Sequence, residues 1–305
     1  MKALVTGGAG FIGAHLVDGL LSRGHAVRVL DDLFSGSPED VAPPAELTIG
    51  SVIDEDVVRA AVEGVEIVFH LAAHRSVPRS VDHPLETDLA NVHGTITVLA
   101  AAQDAHVRRV VYASSSSVYG ATDELPTPES TTTQPRSPYA VSKLAGEQYC
   151  RVFTEVFGLE TTSLRYFNVY GPRQPPGSQY AGVIPLFVDA LRNDERLVVH
   201  GDGKQSRDFT YVDDAVTATL AAADAPGASG RVYNVAGGGP HSLLELLEVL
   251  GRLLDTTPRP EHVGARPGDV RRTWADSEAA RRDLGYSPAV SFEDGLRRTV
   301  DWDAS

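Results

Sequence analysis

The glycine-rich segment TGGAGFIG at positions 6–13 constrains the fold of this chain more than any other feature. It follows the apolar residues 3–5 and leads into a stretch with helical spacing over 13–23. The glycines at 7, 10 and 13 are spaced so that one permits a tight turn, one lets backbone amides approach a pyrophosphate, and one lets the helix pack closely on the strand. The segment therefore predicts a strand–turn–helix unit whose helix N-terminus binds phosphates.

A pair of carboxylates follows the second apolar run. Residues 26–30 predict a strand that leads directly into Asp31 and Asp32. After a glycine turn of this kind, a carboxylate at this position accepts hydrogen bonds from the hydroxyls of an adenosine ribose. A 2′-phosphate would be repelled there, so the pair favours NAD as the cofactor.

Strand-like and helix-like segments alternate through the first half of the chain. The predicted strands are 2–6, 26–31, 46–49, 65–71 and 108–114, and the predicted helices are 13–23, 54–63, 86–106 and 139–157. This alternation predicts an α/β protein with a Rossmann-type, doubly wound parallel sheet. The ligands of such a sheet bind at the edge formed by the carboxyl ends of its strands.

The alternation lapses after Phe167, where glycine and proline become frequent. We expect a smaller, mixed α/β substrate-binding domain to begin there. Residues 208–236 return to the earlier pattern, with a strand or bend, a helix and a strand in turn. The predicted division is therefore discontinuous. Residues 1–167 with the return of 208–236 form the NAD-binding domain, and residues 168–207 and 237–305 form the substrate-binding domain.

Charge and cysteine content narrow the classes of partner. The formal net charge of −14 opposes binding to nucleic acid or to an anionic membrane surface, so neither is expected as a partner. Cys150 is the only cysteine, and His70 and His74 have no carboxylates at ligand spacing, so no metal is expected. The chain shows neither a leader peptide nor an apolar run of membrane-spanning length, and we expect a cytoplasmic protein.

Serines occupy positions 114–117, at the end of the predicted strand 108–114, and the next predicted helix opens with Tyr139 and Lys143 one turn apart. A tyrosine is a poor base at neutral pH, but a nearby ammonium and a nicotinamide cation would stabilise its phenolate. Lowering its pKa by about 3 units requires roughly 4 kcal/mol, which two close cations at low dielectric can supply. The two segments together predict a site in which Tyr139 acts as a base.

The residues resemble the extended short-chain dehydrogenase/reductases of the NAD-dependent epimerase/dehydratase family over essentially the whole chain. The matching motifs are TGGAGFIG (6–13), Asp31, HLAA (70–73), Ser114-Ser115, Tyr139-x-x-x-Lys143, RYFNVYGP (165–172), RDFTY (207–211) and RPGD (266–269). The resemblance implies NAD, a UDP-sugar substrate bound by the second domain, and a homodimer joined by the helices at 86–106 and 139–157.

The resemblance also implies roles for individual residues. Tyr139 would take the proton of the sugar's C4 hydroxyl, Lys143 would hold the nicotinamide ribose and lower the tyrosine pKa, and Ser115 would bond the same hydroxyl. The implied cofactor contacts are Gly7, Gly10, Phe11, Ile12, Gly13, Asp31, Asp32, Leu71, Ala72, Ala73, Tyr139, Lys143 and Tyr166. The implied substrate contacts are Arg79, Ser115, Ser116, Asn168, Val183, Phe187, Arg207, Arg266, Asp269 and Thr273.

Two of these sets carry further detail from the resemblance. Asn168, Arg207 and Arg266 would bind the diphosphate, Asp269 would bond the uridine ribose, and residues 183–187 would lie near the uracil. Ser51 departs from the family pattern, because an aspartate usually bonds the adenine amino group at that position. The base itself stays open, since thymine differs from uracil by one methyl group.

The reaction is predicted from an absence of acids. Dehydratases and decarboxylases that the chain resembles carry an acidic residue beside the catalytic hydroxyl, where this chain has Ser116 and Ser117. Elimination requires an acid and a base that serines do not provide at neutral pH, so a 4-epimerase is predicted. It needs only hydride transfer from C4, rotation of the 4-keto sugar and hydride return. A lyase of the same fold and a catalytically silent NAD-binding protein stay open.

The sugar is predicted from further points of the resemblance. The segment SVPRSV at 76–81 and the pair Arg173-Gln174 resemble epimerases that act on N-acetylated UDP-sugars, and Pro175 stands where uronic-acid 4-epimerases carry an arginine. Thr273 occupies a gate that is a bulky tyrosine in epimerases restricted to small sugars, and threonine leaves room for an N-acetyl group. The order of expected substrates is UDP-GlcNAc/UDP-GalNAc, then UDP-glucose/UDP-galactose, then UDP-glucuronate, whose carboxylate Arg79 would meet.

Overall fold

The computed structural model describes residues 1–175, 182–264 and 270–303. The strands, in chain order, are β1 (Lys2–Thr6), β2 (Ala26–Asp31), β3 (Glu46–Ile49), β4 (Ile67–His70), β5 (Arg109–Ser115), β6 (Glu160–Tyr166), β7 (Val169–Tyr170), β8 (Val198–His200), β9 (Ser206–Asp208), β10 (Thr210–Tyr211), β11 (Arg231–Val235), β12 (Pro240–Ser242) and β13 (Glu261–Val263). The α-helices are α1 (Phe11–Ser22), α2 (Glu55–Val62), α3 (Val77–Asp82), α4 (Pro84–Asp88), α5 (Gly94–Asp104), α6 (Pro138–Val152), α7 (Val183–Arg192), α8 (Val212–Asp224), α9 (Leu243–Leu253), α10 (Glu278–Leu284) and α11 (Phe292–Asp303).

Seven parallel strands form the central sheet, in the order β11-β6-β5-β4-β1-β2-β3. The strand order reverses at β1, which has β2 on one side and β4 on the other. Loops leaving the carboxyl ends on the two sides of such a reversal diverge and leave a crevice for a ligand. The sheet confirms the predicted Rossmann-type, doubly wound α/β fold.

Two apolar cores lie on the two faces of the sheet. One includes Leu16 and Leu20 of α1 with Ala215 of α8, and the other includes Val58 of α2 with Val98 of α5. Alternate residues of the central strands serve these two faces, which explains why the strands are apolar throughout. A central strand that contains polar residues cannot be recognised from an apolar run in the sequence.

Strand β6 is such a case, and the sequence analysis did not predict it. Its residues Thr161, Thr162 and Ser163 are buried although they are polar. The Thr161 and Thr162 hydroxyls donate to the carbonyls of Cys150 and Ala228, at 2.8 and 3.0 Å. Because these hydrogen bonds satisfy the hydroxyls, the strand is buried without an apolar pattern.

The two long predicted helices are interrupted. The predicted helix 86–106 consists of α4, a π-helical turn at Leu89–His93 and α5, and the predicted helix 139–157 consists of α6 and a π-helical turn at Phe153–Phe157. The π-helical turn between α4 and α5 holds Asn91, which contacts the loop after β4 and α6.

A third apolar core lies around α7, α9 and α11, with three two-stranded sheets nearby. Strand β11 returns to the central sheet beside β6. The predicted domain boundaries stay a prediction. None of the helices in the described ranges has the length and apolar character needed to cross a membrane.

Candidate active site

An open cavity of about 730 Å³ lies along the carboxyl ends of the central strands. Its lining includes the glycine turn, the residues after β2 and β4, the serines after β5, and Tyr139 and Lys143 of α6. Asn168, Arg207 and Thr273 complete it from later in the chain. Segments that are far apart in the sequence therefore meet in one cavity.

The glycine turn fits a dinucleotide. A Cβ at Gly7 would lie 2.6 Å from the Ala72 nitrogen, and a Cβ at Gly13 would lie 2.0 Å from the Gly7 oxygen, so neither position accepts a side chain. Gly10 precedes α1 and supplies no side-chain cap. The first amides of α1 thus point to the cavity as donors for phosphate oxygens.

Asp31 is buried at the end of β2 and is held by the backbone. Its Oδ2 accepts from the Ala9 nitrogen at 2.9 Å, and its Oδ1 accepts from the Leu33 nitrogen at 2.8 Å. Burial raises the pKa of this carboxyl, although the two amide bonds oppose the rise. Each oxygen retains a lone pair, so both are able to accept from a ribose diol. Asp32, also in the lining, accepts from the Phe34 nitrogen at 3.0 Å.

Lys143 is buried one turn into α6, which begins with a Ser137 cap. Its Nζ donates to the Ala113 carbonyl at 2.8 Å and lies 5.0 Å from the centre of the Tyr112 ring. Burial lowers the pKa of Lys143 to about 8, against the charge of Glu147, which raises it. The ammonium form still predominates at neutral pH.

Tyr139 lines the cavity beside Lys143. Burial raises its pKa, while a side-chain hydrogen bond with Ser115 and the positive charge of Arg75 lower it. The sequence motifs do not single out Arg75, which lies in the loop after β4 and also lines the cavity. Among the described residues it has no hydrogen bond or carboxylate partner, so its charge faces the cavity.

The serines after β5 have different surroundings. The Ser114 hydroxyl donates to Glu147, away from the reacting groups. Ser115 accepts two hydrogen bonds from Ser117, from its nitrogen at 3.2 Å and its Oγ at 2.9 Å. Ser116 lines the cavity next to them. Hydroxyl groups thus surround the position that a substrate oxygen would take near Tyr139.

Three predicted substrate residues form one wall of the cavity, which we call the far wall: Asn168, Arg207 and Thr273. The Asn168 amide donates to the Thr273 Oγ1 and to the Asp208 carbonyl, at 3.2 and 3.0 Å, and the Asp208 nitrogen also donates to the Thr273 Oγ1. Arg207 lies between Asp208 and Ser206 and lines the same cavity. The carboxylate of Asp208 is turned away and accepts from the nitrogens of Gly237 and Ala275.

Other predicted site residues divide into three groups. Leu71, Ala72, Ala73, Tyr166, Phe11 and Ile12 line the cavity, as does Ser51. Val183 and Phe187 lie on α7 in the third apolar core, the one around α7, α9 and α11, and do not line the cavity that the described residues form. Arg266 and Asp269 fall outside the described residues.

The structure does not bring Arg79 into the cavity. Its guanidinium donates to Glu86 at 2.7 Å and lies 5.0 Å from the centre of the Phe34 ring. The Ser76 side chain caps α3 by accepting from the Arg79 nitrogen, which places Arg79 in the first turn of this helix, with its guanidinium on Glu86. Arg75, one residue before the cap, enters the cavity instead.

Asn91 was also missed, because nothing in the local pattern marks it. Its Oδ1 accepts from the His74 nitrogen at 2.7 Å, and its Nδ2 donates to the Ser142 Oγ at 2.9 Å. It therefore ties the loop after β4 to α6 next to Lys143. The structure marks Asn91 by its position in a π-helical turn, a feature that is frequent at functional sites, and the sequence carries no such signal.

The histidines of the predicted HLAA motif and loop are not arranged as ligands. His70 bonds the hydroxyls of Thr6 and Thr95, at 2.7 and 2.9 Å, and burial lowers its pKa to about 3. His74 stacks on Phe34 with ring centres 4.1 Å apart. In the ranges described, no three His, Cys, Asp or Glu side chains are grouped to hold a metal ion.

Comparison with known proteins extends these observations. The model of the NAD dependent epimerase/dehydratase family matches residues 3–236. The chain is 40% identical to a UDP-glucose 4-epimerase of Mycolicibacterium smegmatis, over 99% of this chain and 98% of that protein. It is 34% identical to a UDP-N-acetyl-alpha-D-glucosaminuronate decarboxylase of Bacillus cytotoxicus, over 99% and 97%. Its fold matches the structure of a UDP-glucose 4-epimerase from Thermotoga maritima with UDP-glucose, with a TM-score of 0.96, 37% identity, and coverage of 100% of this chain and 99% of that one.

Proposed function

This chain belongs to the NAD-dependent epimerase/dehydratase family, and from that premise we propose that it is a 4-epimerase of a UDP-hexose. The observation that carries the proposal is the position of the carboxylates in the lining of the cavity. Among the described residues that line the cavity, only Asp31 and Asp32 carry carboxylates, and both lie at the carboxyl end of β2. Around Tyr139 the lining has hydroxyl, amide and cationic groups, and elimination or decarboxylation of a sugar would ask for an acid there.

NAD is the cofactor, and when bound it would supply the acceptor and the donor of the hydride that is exchanged at C4 of the sugar. Tyr139 takes the proton of the C4 hydroxyl as that carbon is oxidised. Ser115 donates a hydrogen bond to the same oxygen, and the Lys143 ammonium, beside Tyr139, holds the nicotinamide ribose. The loop amides before α1 and Asp31 hold the other half of the dinucleotide.

Epimerisation then requires the 4-keto sugar to present its other face. The Asn168 amide already donates both of its hydrogens, to Asp208 and Thr273, so Arg207 is the residue of the far wall proposed to hold the diphosphate. The hexose is then free to rotate while the nucleotide stays bound. Tyr139 returns the proton to the C4 oxygen once the new stereochemistry is set. We propose that residues 168–207 and 237–305 bind the nucleotide sugar, and that residues 1–167 with 208–236 bind NAD.

The size of Thr273 supports N-acetylated sugars as the first substrates. Its Oγ1 is engaged by Asn168 and by the Asp208 nitrogen, so the short side chain is fixed against the wall and leaves the cavity open. We rank UDP-GlcNAc/UDP-GalNAc first and UDP-glucose/UDP-galactose second. UDP-glucuronate ranks third, because Arg79 is paired with Glu86 and does not meet the sugar.

A homodimer is the proposed assembly. Apolar side chains stand exposed on α3, α4 and α6, and Val81, Leu85 and Val141 are 61%, 84% and 53% exposed. Pairing the helical segment formed by α4 and α5, together with α6, with the same two segments of a second copy would cover Leu85 and Val141 and form a four-helix contact. Light scattering should give a dimer mass for the wild type and a monomer mass for Leu85→Glu.

Proton NMR of the purified enzyme, without added NAD, tests the function. UDP-GlcNAc, UDP-glucose and UDP-glucuronate are supplied in turn, and the C4 epimer is expected to appear, first from UDP-GlcNAc. Keto or alkene signals would favour the lyase, and no change even with added NAD would favour a non-catalytic NAD-binding protein.

A further inference from the structure

The serine turn after β5 contains a hydrogen bond that none of the roles above uses. Ser115 ends β5 and is the cap of a 3₁₀ turn at Ser116–Tyr119. The Ser117 nitrogen donates to its Oγ at 3.2 Å, as a cap requires. A second bond, from the Ser117 Oγ to the Ser115 Oγ at 2.9 Å, goes beyond what capping needs.

The second bond limits what the Ser115 hydroxyl can do. A serine oxygen has two lone pairs and one hydrogen. Ser117 occupies both lone pairs, so the hydrogen of Ser115 is left to donate. Ser115, Ser117 and Tyr139 line the same cavity, and the Ser115 side chain acts to lower the pKa of Tyr139 against the effect of burial. The phenolic oxygen is therefore the acceptor within reach.

We propose that Ser117 is a positioning residue for the reaction: it directs the single Ser115 hydroxyl hydrogen into the cavity, where the Tyr139 oxygen accepts it in the free enzyme and shares it with the C4 oxygen of the bound sugar. The proposal rests on the proposed 4-epimerase function. A donor fixed in this direction stabilises the phenolate before it takes the proton and costs no reorientation during the reaction. Without Ser117, the Ser115 hydrogen is free to turn away from Tyr139.

Ser117→Ala tests this role with little risk to folding, because the backbone nitrogen that caps the turn stays in place. Loss of one hydrogen bond should lower kcat at pH 7 by about 3- to 10-fold and shift the pH profile upward by about half a unit to one unit. KM should change by less than about twofold, since the contact acts on the base and not on binding. Ser117→Thr, which keeps a hydroxyl, should restore the wild-type profile.

A second readout does not depend on turnover. Ultraviolet difference absorbance follows the ionisation of Tyr139, with Tyr139→Phe as the blank, and Ser117→Ala should shift this titration upward. A wild-type profile and titration in Ser117→Ala, or a loss that Ser117→Thr does not restore, would overturn the proposal. If the wild type forms no C4 epimer, the proposed function fails, whereas the Tyr139 titration still decides the role of Ser117.

Discussion

The two ends of the cavity differ in the kind of charge they hold. The dinucleotide end has the carboxylates of Asp31 and Asp32 against a turn built from glycine and backbone amides. The reacting end has hydroxyls and the cations Lys143 and Arg75 around Tyr139, without a carboxylate among its described lining residues. We therefore expect the first end to accept a ribose with free hydroxyls, and the second to suit the proton and hydride exchange at one carbon that we propose.

The difference teaches that fold and reaction are encoded separately. The glycine turn and the end of β2 form one end of the cavity, whereas Ser115, Ser116 and Ser117 line the other end and bring no acid to it. A change at one end should therefore leave the other end working.

Tyr139→Phe is the strongest test of the reacting end. It removes the proton acceptor, so turnover should fall by about 10³-fold or more. NAD measured in the purified protein should stay at the wild-type level, because the dinucleotide end is untouched. Turnover within about tenfold of the wild type would mean that another group is the base.

Asp31→Asn tests the dinucleotide end. It removes the charge but keeps the size of the side chain, and NAD affinity should fall by about 10- to 100-fold, as for a lost charged hydrogen bond. Calorimetric titration measures the affinity of the variant for NAD and its affinity for NADP. Asp32→Asn is the matched variant and should weaken NAD less. Equal losses in the two variants would contradict the assignment of Asp31 to the ribose.

Thr273→Tyr tests the room at the sugar wall. The larger side chain should lower kcat/KM for UDP-GlcNAc by about tenfold or more relative to UDP-glucose, since discrimination by size reaches this range. Thr273→Val keeps the size and removes the hydrogen bonds, so it separates the effect of side-chain size from the effect of those hydrogen bonds. An equal loss with both sugars in Thr273→Tyr would show that the residue does not sense the C2 substituent.

Arg75→Gln should have the smallest effect. The Arg75 charge lowers the pKa of Tyr139, so its removal raises that pKa and leaves less phenolate at neutral pH. The rise of kcat/KM with pH should move upward by about half a unit, with a loss of about threefold at pH 7. Arg75→Lys should retain most of the wild-type profile. An unchanged profile in Arg75→Gln would remove Arg75 from the account.

The parts of the fold and site that the sequence predicts are those with local patterns. The glycine turn, Asp31, and the Tyr139 and Lys143 pair each lie within a few residues of a recognisable strand or helix end. Strand β6 was not predicted, because the hydroxyls of Thr161 and Thr162 are satisfied by hydrogen bonds that form only in the folded chain.

Long-range packing decides the rest of the site. The hydrogen bond between Asn168 and Thr273 joins positions 105 residues apart, and no spacing rule predicts it. Arg75 and Arg79 look equivalent in the sequence, four residues apart. The start of α3, capped by Ser76, turns Arg79 to Glu86 and leaves Arg75 to the cavity.

A deuterium label at C4 of the UDP-hexose tests the central claim most directly, with NMR of the product in ordinary water. A reacting end without acids should return the label to C4, so the account predicts the C4 epimer with deuterium at C4 and no exchange at C5. Deuterium at C6, with a solvent proton at C5, would show elimination of water and would contradict it.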